Sequence, residues 1–186
     1  EIPSCDWSSD VCSSDLSIQE NEQVVTEIFI DGQDVTGAIE HYISENVTRL
    51  GTIDIRSIHT NEMFKLLLQD TYEYVKKVYK ATDSISDLFY GNPDRDAWTY
   101  FSQLTVGLQY TAQSVQMLIT HLEREENDEE ILTSLRAFLQ KLQELLGELH
   151  QAVESQDHVF IADIVKYEIG DSIKQLLIAL ESKVNI

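Results

Sequence analysis

Cysteine is nearly absent from this chain. Of its 186 residues only Cys5 and Cys12 are cysteines, and both fall within the first sixteen. From residue 17 onward there is neither a disulfide framework nor a thiolate metal site, which makes a reducing, cytoplasmic setting the expectation. Basic residues are also scarce: 13 Lys and Arg stand against 33 Asp and Glu, a formal charge of −20. So acidic a chain repels nucleic acid and anionic lipid; a solubilising surface is the plain explanation of the charge, and a basic protein partner is the sharper one. Long apolar runs are missing too. The longest, Leu176 to Leu180, is far short of the roughly 20 residues needed to span a bilayer.

Catalytic signatures are absent as well. The sequence holds no phosphate-binding glycine loop, no Gly-x-Ser-x-Gly and no His-Glu-x-x-His. A di-iron bundle needs Glu three residues before His on an inward face. The residues at that spacing before His41, His59, His121, His150 and His158 are Ala38, Arg56, Leu118, Gly147 and Ser155. No catalytic residue, metal site or cofactor is therefore expected.

Residues 1–16, EIPSCDWSSDVCSSDL, have no helical or strand period. They look like translated sequencing-adapter read-through and are set aside as a non-native, disordered segment; they are not a signal peptide. Four acids leave with them, which reduces the charge to −16. Residues 17–186 contain no Pro- or Ser-rich linker and read as one domain, with a β-rich front over 24–59 and a helical bundle over 60–184.

What is present is a succession of amphipathic segments. Val24–Ile30 is β-branched and partly alternating, Asp31-Gly32 is a two-residue hairpin signal, and Gln33–Thr36 is the return strand. Ala38–Leu50 has helical spacing, and Thr52–His59 is a third strand with Ile53 and Ile55 on one face. This order permits a crossover, right-handed if the flanking strands are parallel.

Thr60 caps a helix that runs to about Thr82, and Asp83 or Ser84 begins a short further segment. Gly91-Asn92-Pro93-Asp94 then separates helices, with Asn92 as cap and Pro93 in the first position. The helix from Asn92 to about Glu123 organises the chain. Phe101, Leu104, Leu108, Thr111, Val115, Leu118 and Leu122 recur at alternating gaps of three and four over roughly 45 Å. A narrow stripe of that length requires partner helices.

Acids at Glu123, Glu125 and Glu126 break the rod, and Asn127 restarts it with Ile131, Leu135, Phe138, Leu142, Leu145 and Leu149 facing inward. Ser155 or Asp157 caps the last helix, whose apolar face is Phe160, Ile161, Ile164, Val165, Ile169, Ile173, Leu176, Leu177 and Leu180. The fold class is mainly α (α+β). A small N-terminal β-hairpin or three-stranded sheet leads into an up-down bundle of about four long helices.

Two acidic patterns merit a geometric test. Glu123-x-x-Glu126 and Glu154-x-x-Asp157 resemble the paired motifs of all-α nucleotide pyrophosphohydrolases. Glu126 and Glu154 stand at opposite ends of one helix, roughly 40 Å apart. Carboxylates so placed cannot share an ion bound at about 2.1 Å. The second pattern is the polar cluster Asp157, His158, Asp163, Tyr167 and Glu168 in the last helix. Glu168 falls close to the apolar stripe, so it is expected to be partly buried and to need a partner. It is either an acid or ligand of shifted pKa or, as the favoured reading, a structural group bonded to a tyrosine or a neighbouring helix's lysine. Trp98, Tyr100 and Tyr110 are the candidates for partner contact, Tyr100 and Tyr110 because they lie off the main stripe.

The hairpin IFIDGQDVTG, the following strand and long helices, and the closing DHVFIADIVKYEI, with Asp157, Asp163, Tyr167 and Glu168, resemble an uncharacterised family of short bacterial proteins of Firmicutes type. That resemblance implies the fold and no activity. As a class, a small, acidic, cysteine-poor bundle is similar to the cytoplasmic export chaperones of flagellar and type III secretion, which hold a partner's amphipathic helix in a groove. The expected function is therefore a non-enzymatic interaction protein. A metal- or small-molecule-binding enzyme or sensor using the last-helix cluster is the alternative. A self-associating homo-oligomeric subunit is the third reading.

Overall fold

A computed structural model of the chain describes residues 22–46, 51–125 and 129–184. The readings of residues 1–16, of Val47 to Leu50 and of the Asn127 cap lie outside them. The chain divides into two compact units, residues 1–64 and 65–186.

In the first unit β1 (Gln23–Ile30), β2 (Gln33–Asp34), α1 (Ile39–Asn46) and β3 (Ile53–His59) follow in order. The sheet order is β2-β1-β3 and both pairings are antiparallel, so no parallel crossover is formed. The Asp31-Gly32 turn has both central residues at positive φ, 51° and 81°, the geometry of a tight hairpin turn matched to strand twist. The Asp31 carboxylate also accepts from the amides of Gly51 (3.3 Å) and Thr52 (2.8 Å), tying the turn to the approach of β3.

The return strand is shorter than its sequence suggests. Asp34 Oδ1 accepts from both the amide and the hydroxyl of Thr36 (3.0 and 2.7 Å), which bends the chain into a turn after two residues. The same bonds hold the Asp34 carboxyl below its usual range, the side-chain bond contributing most. Opposite β3, Thr26 is the extra residue of a bulge, and its hydroxyl donates to Arg56 O.

The helical unit is built on heptads. In α2 (Thr60–Phe89) the buried residues Leu68, Thr71, Val75, Val78, Thr82, Ile85 and Phe89 continue the alternation of three and four without a break. One 30-residue helix therefore replaces the expected helix plus short segment. Asp83 and Ser84 resemble a cap but sit on the solvent side of an unbroken stripe.

The next helix, α3 (Arg95–Glu125), is capped by Asp94 and not by Asn92: the Ala97 amide donates to Asp94 Oδ1 at 2.9 Å. Pro93 thus precedes the cap. Helix α4 (Glu129–Glu154), a separate element from α3, buries Ile131, Leu135, Phe138, Leu142, Leu145 and Leu149. Lateral contacts pair Tyr74 with Tyr110 and Phe89 with Trp98 between α2 and α3. Glu123 meets Arg136 between α3 and α4. Together with the last helix, described next, α2, α3 and α4 form an antiparallel bundle around their shared stripes.

The last helix is composite. Asp157 caps α5 (His158–Asp163), accepting from the Phe160 amide at 3.0 Å. A π-helical turn, Ile164–Ile169, leads into α6 (Gly170–Val184). Ile164 and Ile169 lie five residues apart yet are both buried, which a wider turn allows. Phe160 is not on the core face; it is 44% exposed.

Candidate functional site

Each sequence-flagged residue of the last helix has its own local partner. Asp157 is a helix cap, and the His158 ring lies edge-on to Trp98 and Phe89, with centroids 5.9 and 6.3 Å away. Asp163 Oδ1 accepts from the Tyr90 hydroxyl at 2.7 Å. That bond, then burial, then the nearby Tyr167 hydroxyl push the Tyr90 phenol well above its ordinary value. Lys166 donates to Asp87 at 2.9 Å, which raises its ammonium above the ordinary value. Glu168 pairs with Lys141 of α4 at 3.3 Å, and its side chain is 53% exposed. It is not partly buried as expected, because the extra residue of the π-turn rotates it away from the stripe.

Asp163 and Tyr167 thus meet at Tyr90, while Asp157, His158 and Glu168 each make a separate contact. Among the described residues no group of three His, Cys, Asp or Glu side chains is gathered to hold a metal ion. Beside Glu168 a shallow groove of about 780 Å³ runs between α4 and the last helix, and both signs of charge line it, including Glu130, Lys141, Asp171 and Lys183.

A second groove differs in kind. It lies between α2 and α3, measures about 650 Å³, and includes Tyr74, Lys77, Lys80, Leu88, Tyr100 and Gly107 in its lining. Leu88 and Tyr100 are 42% and 49% exposed and form its apolar rim. Gly107 forms part of the floor: a Cβ there would meet the Tyr74 hydroxyl at 3.2 Å, so a glycine lets that ring lie against α3. Tyr74 in turn packs edge-on to Tyr110, with centroids 4.6 Å apart.

The groove lining contains no acid, although acids outnumber basic residues by 33 to 13 in the chain. Lys77 and Lys80 take no part in an ion pair among the described residues, whereas neighbouring Lys76 pairs with Glu73.

Of the three aromatic candidates, Tyr100 lines this groove and Tyr110 stands beside it. Trp98 is half-buried, packed between Phe89, Phe101 and His158. The groove lysines were not singled out by sequence reasoning. A glycine inside a strong helical stripe, Gly107, is the signal that could have led to them, since such a glycine usually has a packing reason.

These features define an antiparallel four-helix bundle with a lysine-rimmed groove between its first two long helices. The chain belongs to the family DUF8042, a domain of unknown function, whose model matches residues 66–178. No curated protein and no solved structure matches the chain. No helix among the described residues is long and apolar enough to cross a membrane.

Proposed function

We propose that the protein is a non-enzymatic interaction module whose α2–α3 groove receives an amphipathic helix from a protein partner. The observation that carries this reading is the groove's charge. In a chain of net charge −20, Lys77 and Lys80 flank an apolar, acid-free channel without ion-pair partners among the described residues. An apolar helix face would seat against Leu88, Tyr100 and Tyr74, with carboxylates of the incoming helix meeting the lysines. From Tyr74 to Leu88 the groove follows α2 for roughly 21 Å, about four turns of a partner helix.

Overall charge alone suggests a basic partner; the groove is a local reversal of sign, so the partner helix we propose is acidic along its flank. A bacterial, cytoplasmic setting is part of the proposal and rests on the family resemblance and on the cysteine-free sequence after residue 16. We do not place a ligand in the last-helix cluster, since Asp157, Asp163 and Glu168 are already engaged as cap, acceptor and ion pair.

The test is selection of a phage-displayed library of amphipathic helices on the full chain. The expected result is enrichment of peptides with apolar residues at i, i+3, i+4 and i+7 and Asp or Glu beside them. Their binding should fall at least about tenfold, or 1.4 kcal/mol, in the Lys77→Glu/Lys80→Glu variant and in Tyr100→Asp. No enrichment, or peptides that bind these variants undiminished, would reject the groove.

A further inference from the structure

The N-terminal sheet carries an independent feature. Strand β3 is an outer strand, paired on one side with β1 and on the other with nothing among the described residues. The direction of its backbone groups can be read from its ends. Thr52 O accepts from the Asp31 amide at 2.9 Å, and the Thr60 amide donates to Glu22 O at 2.8 Å. Arg56 O accepts from the Thr26 hydroxyl, again on the β1 side. Strand groups alternate in direction, so even-numbered residues face β1. The amides and carbonyls of Ile53, Ile55, Ser57 and His59 therefore point away from the sheet. An edge of seven residues with open backbone groups is a template for another strand.

We propose that this edge pairs with β3 of a second copy of the chain, antiparallel and centred on Ile55, to form one continuous six-stranded sheet. The register follows from charge. Centring on Ile55 places the two Ile55 residues opposite each other as a hydrogen-bonded pair, with Ile53 opposite Ser57 of the second copy. Asp54 of each copy then lies opposite Arg56 of the other, in the closer, non-hydrogen-bonded type of pair. Centring one residue earlier opposes Asp54 to Asp54, and centring one residue later opposes Arg56 to Arg56; like charges directly opposite are destabilising.

The two charged groups are available for this. Asp54 is exposed and has no ion pair among the described residues. Arg56 directs one terminal nitrogen to Glu27 at 2.7 Å, lies over the Phe29 ring and keeps a 68% exposed side chain, so its fork can accept a second carboxylate. Ile53 and Ile55, 49% and 50% exposed, give the edge an apolar row that continues across the two-fold axis. The same charges that match a second copy mismatch an arbitrary strand, which gives the edge selectivity.

The experiment is sedimentation equilibrium of the full chain. A strand-edge interface is smaller than that of tight complexes, so concentrations from about 5 to 200 µM should bracket the association. The wild-type mass should rise from 21.3 kDa toward twice that value. Asp54→Arg and Arg56→Asp should each remain at the single-chain mass alone, and an equal mixture of the two should recover the dimer, because the mixed pair restores both opposite-charge contacts. Ile55→Pro should also abolish the dimer. Its missing N–H is one that points away from β1, so the intramolecular ladder is retained. A wild-type chain that stays at 21.3 kDa throughout, or a dimer that survives Ile55→Pro or Asp54→Arg, would overturn the proposal. If circular dichroism shows Arg56→Asp unfolded through loss of the Glu27 pair, the other two variants decide.

Discussion

At the scale of single residues, two polar groups show how the bundle handles exceptions to its apolar stripe. Thr71 occupies a heptad position in α2, is 3% exposed, and its hydroxyl finds no hydrogen-bond partner among the described residues. An unpaired buried hydroxyl costs on the order of 1–3 kcal/mol, while an isosteric methyl costs nothing comparable. Thr71→Val should therefore stabilise the chain by about 1 kcal/mol in denaturant unfolding, and a loss of stability would show that the hydroxyl is satisfied after all. Tyr90 is the opposite case, a hydroxyl fixed at 2.7 Å to Asp163 across the bundle. Its phenol is raised above 10.0 in the fold, chiefly by that bond. The folded state therefore holds the proton longer than the unfolded chain does. Stability from this contact is complete below the unfolded value and is lost as pH rises above it. Lys166, also raised, works in the same direction. Stability measured against pH should decline above about 10, and Tyr90→Phe should flatten that decline; an identical alkaline profile in the variant would contradict the assignment.

At the scale of elements, the long helices were legible because an unbroken series of buried positions from Leu68 to Phe89 and from Phe101 to Leu122 keeps the alternating three-four gap. Their ends were less so. Asn92 and Asp94 are both good caps, and only the bond from the Ala97 amide decides for Asp94. Asp83-Ser84 imitates a boundary because cap residues are equally at home on a solvent face. The π-turn was hidden because Val165 and Ile169, four apart, satisfy an α-helical stripe as well as Ile164 and Ile169 satisfy a wider one. The groove was not legible as a unit, since Lys77 and Lys80 belong to one helix and Tyr100 and Gly107 to another, and only packing joins them. Two helical glycines, Gly107 and Gly147, separate packing from propensity. Gly107 sits against Tyr74, whereas Gly147 in α4 is exposed and would present a Cβ to open space. Gly147→Ala should therefore stabilise the chain by about 0.5–1 kcal/mol, read as a higher denaturant midpoint at unchanged slope. No gain at Gly147 would mean that α4 is not a regular helix there.

At the scale of the molecule, stability is distributed unevenly between the two compact units. Among the described residues between 22 and 64 the buried apolar side chains are Ile30 and Val35, while those of 65–186 include Leu108, Leu118, Leu135, Leu145, Ile161, Ile173 and many more. Burying one such side chain contributes about 1.5–3 kcal/mol, so the sheet unit rests on few contacts and on bonds such as those of Asp31, and the bundle on a long core. The net charge of −20 adds self-repulsion to both, which salt screens. The two units should therefore open at different free energies. In hydrogen exchange followed by mass spectrometry, amides of residues 23–59 should exchange well before those of the bundle helices. Leu108→Ala, which empties a fully buried position in α3, should lower the bundle's opening free energy by about 2–5 kcal/mol. It should leave exchange in the sheet unchanged at concentrations where the chain is monomeric. At higher concentration the amides of Ile53, Ile55 and Ser57 should gain protection if β3 pairs with a second copy, while their inward-facing neighbours change less. Coincident exchange of sheet and bundle, or a Leu108→Ala effect that spreads equally to both, would mean that the two units unfold as one.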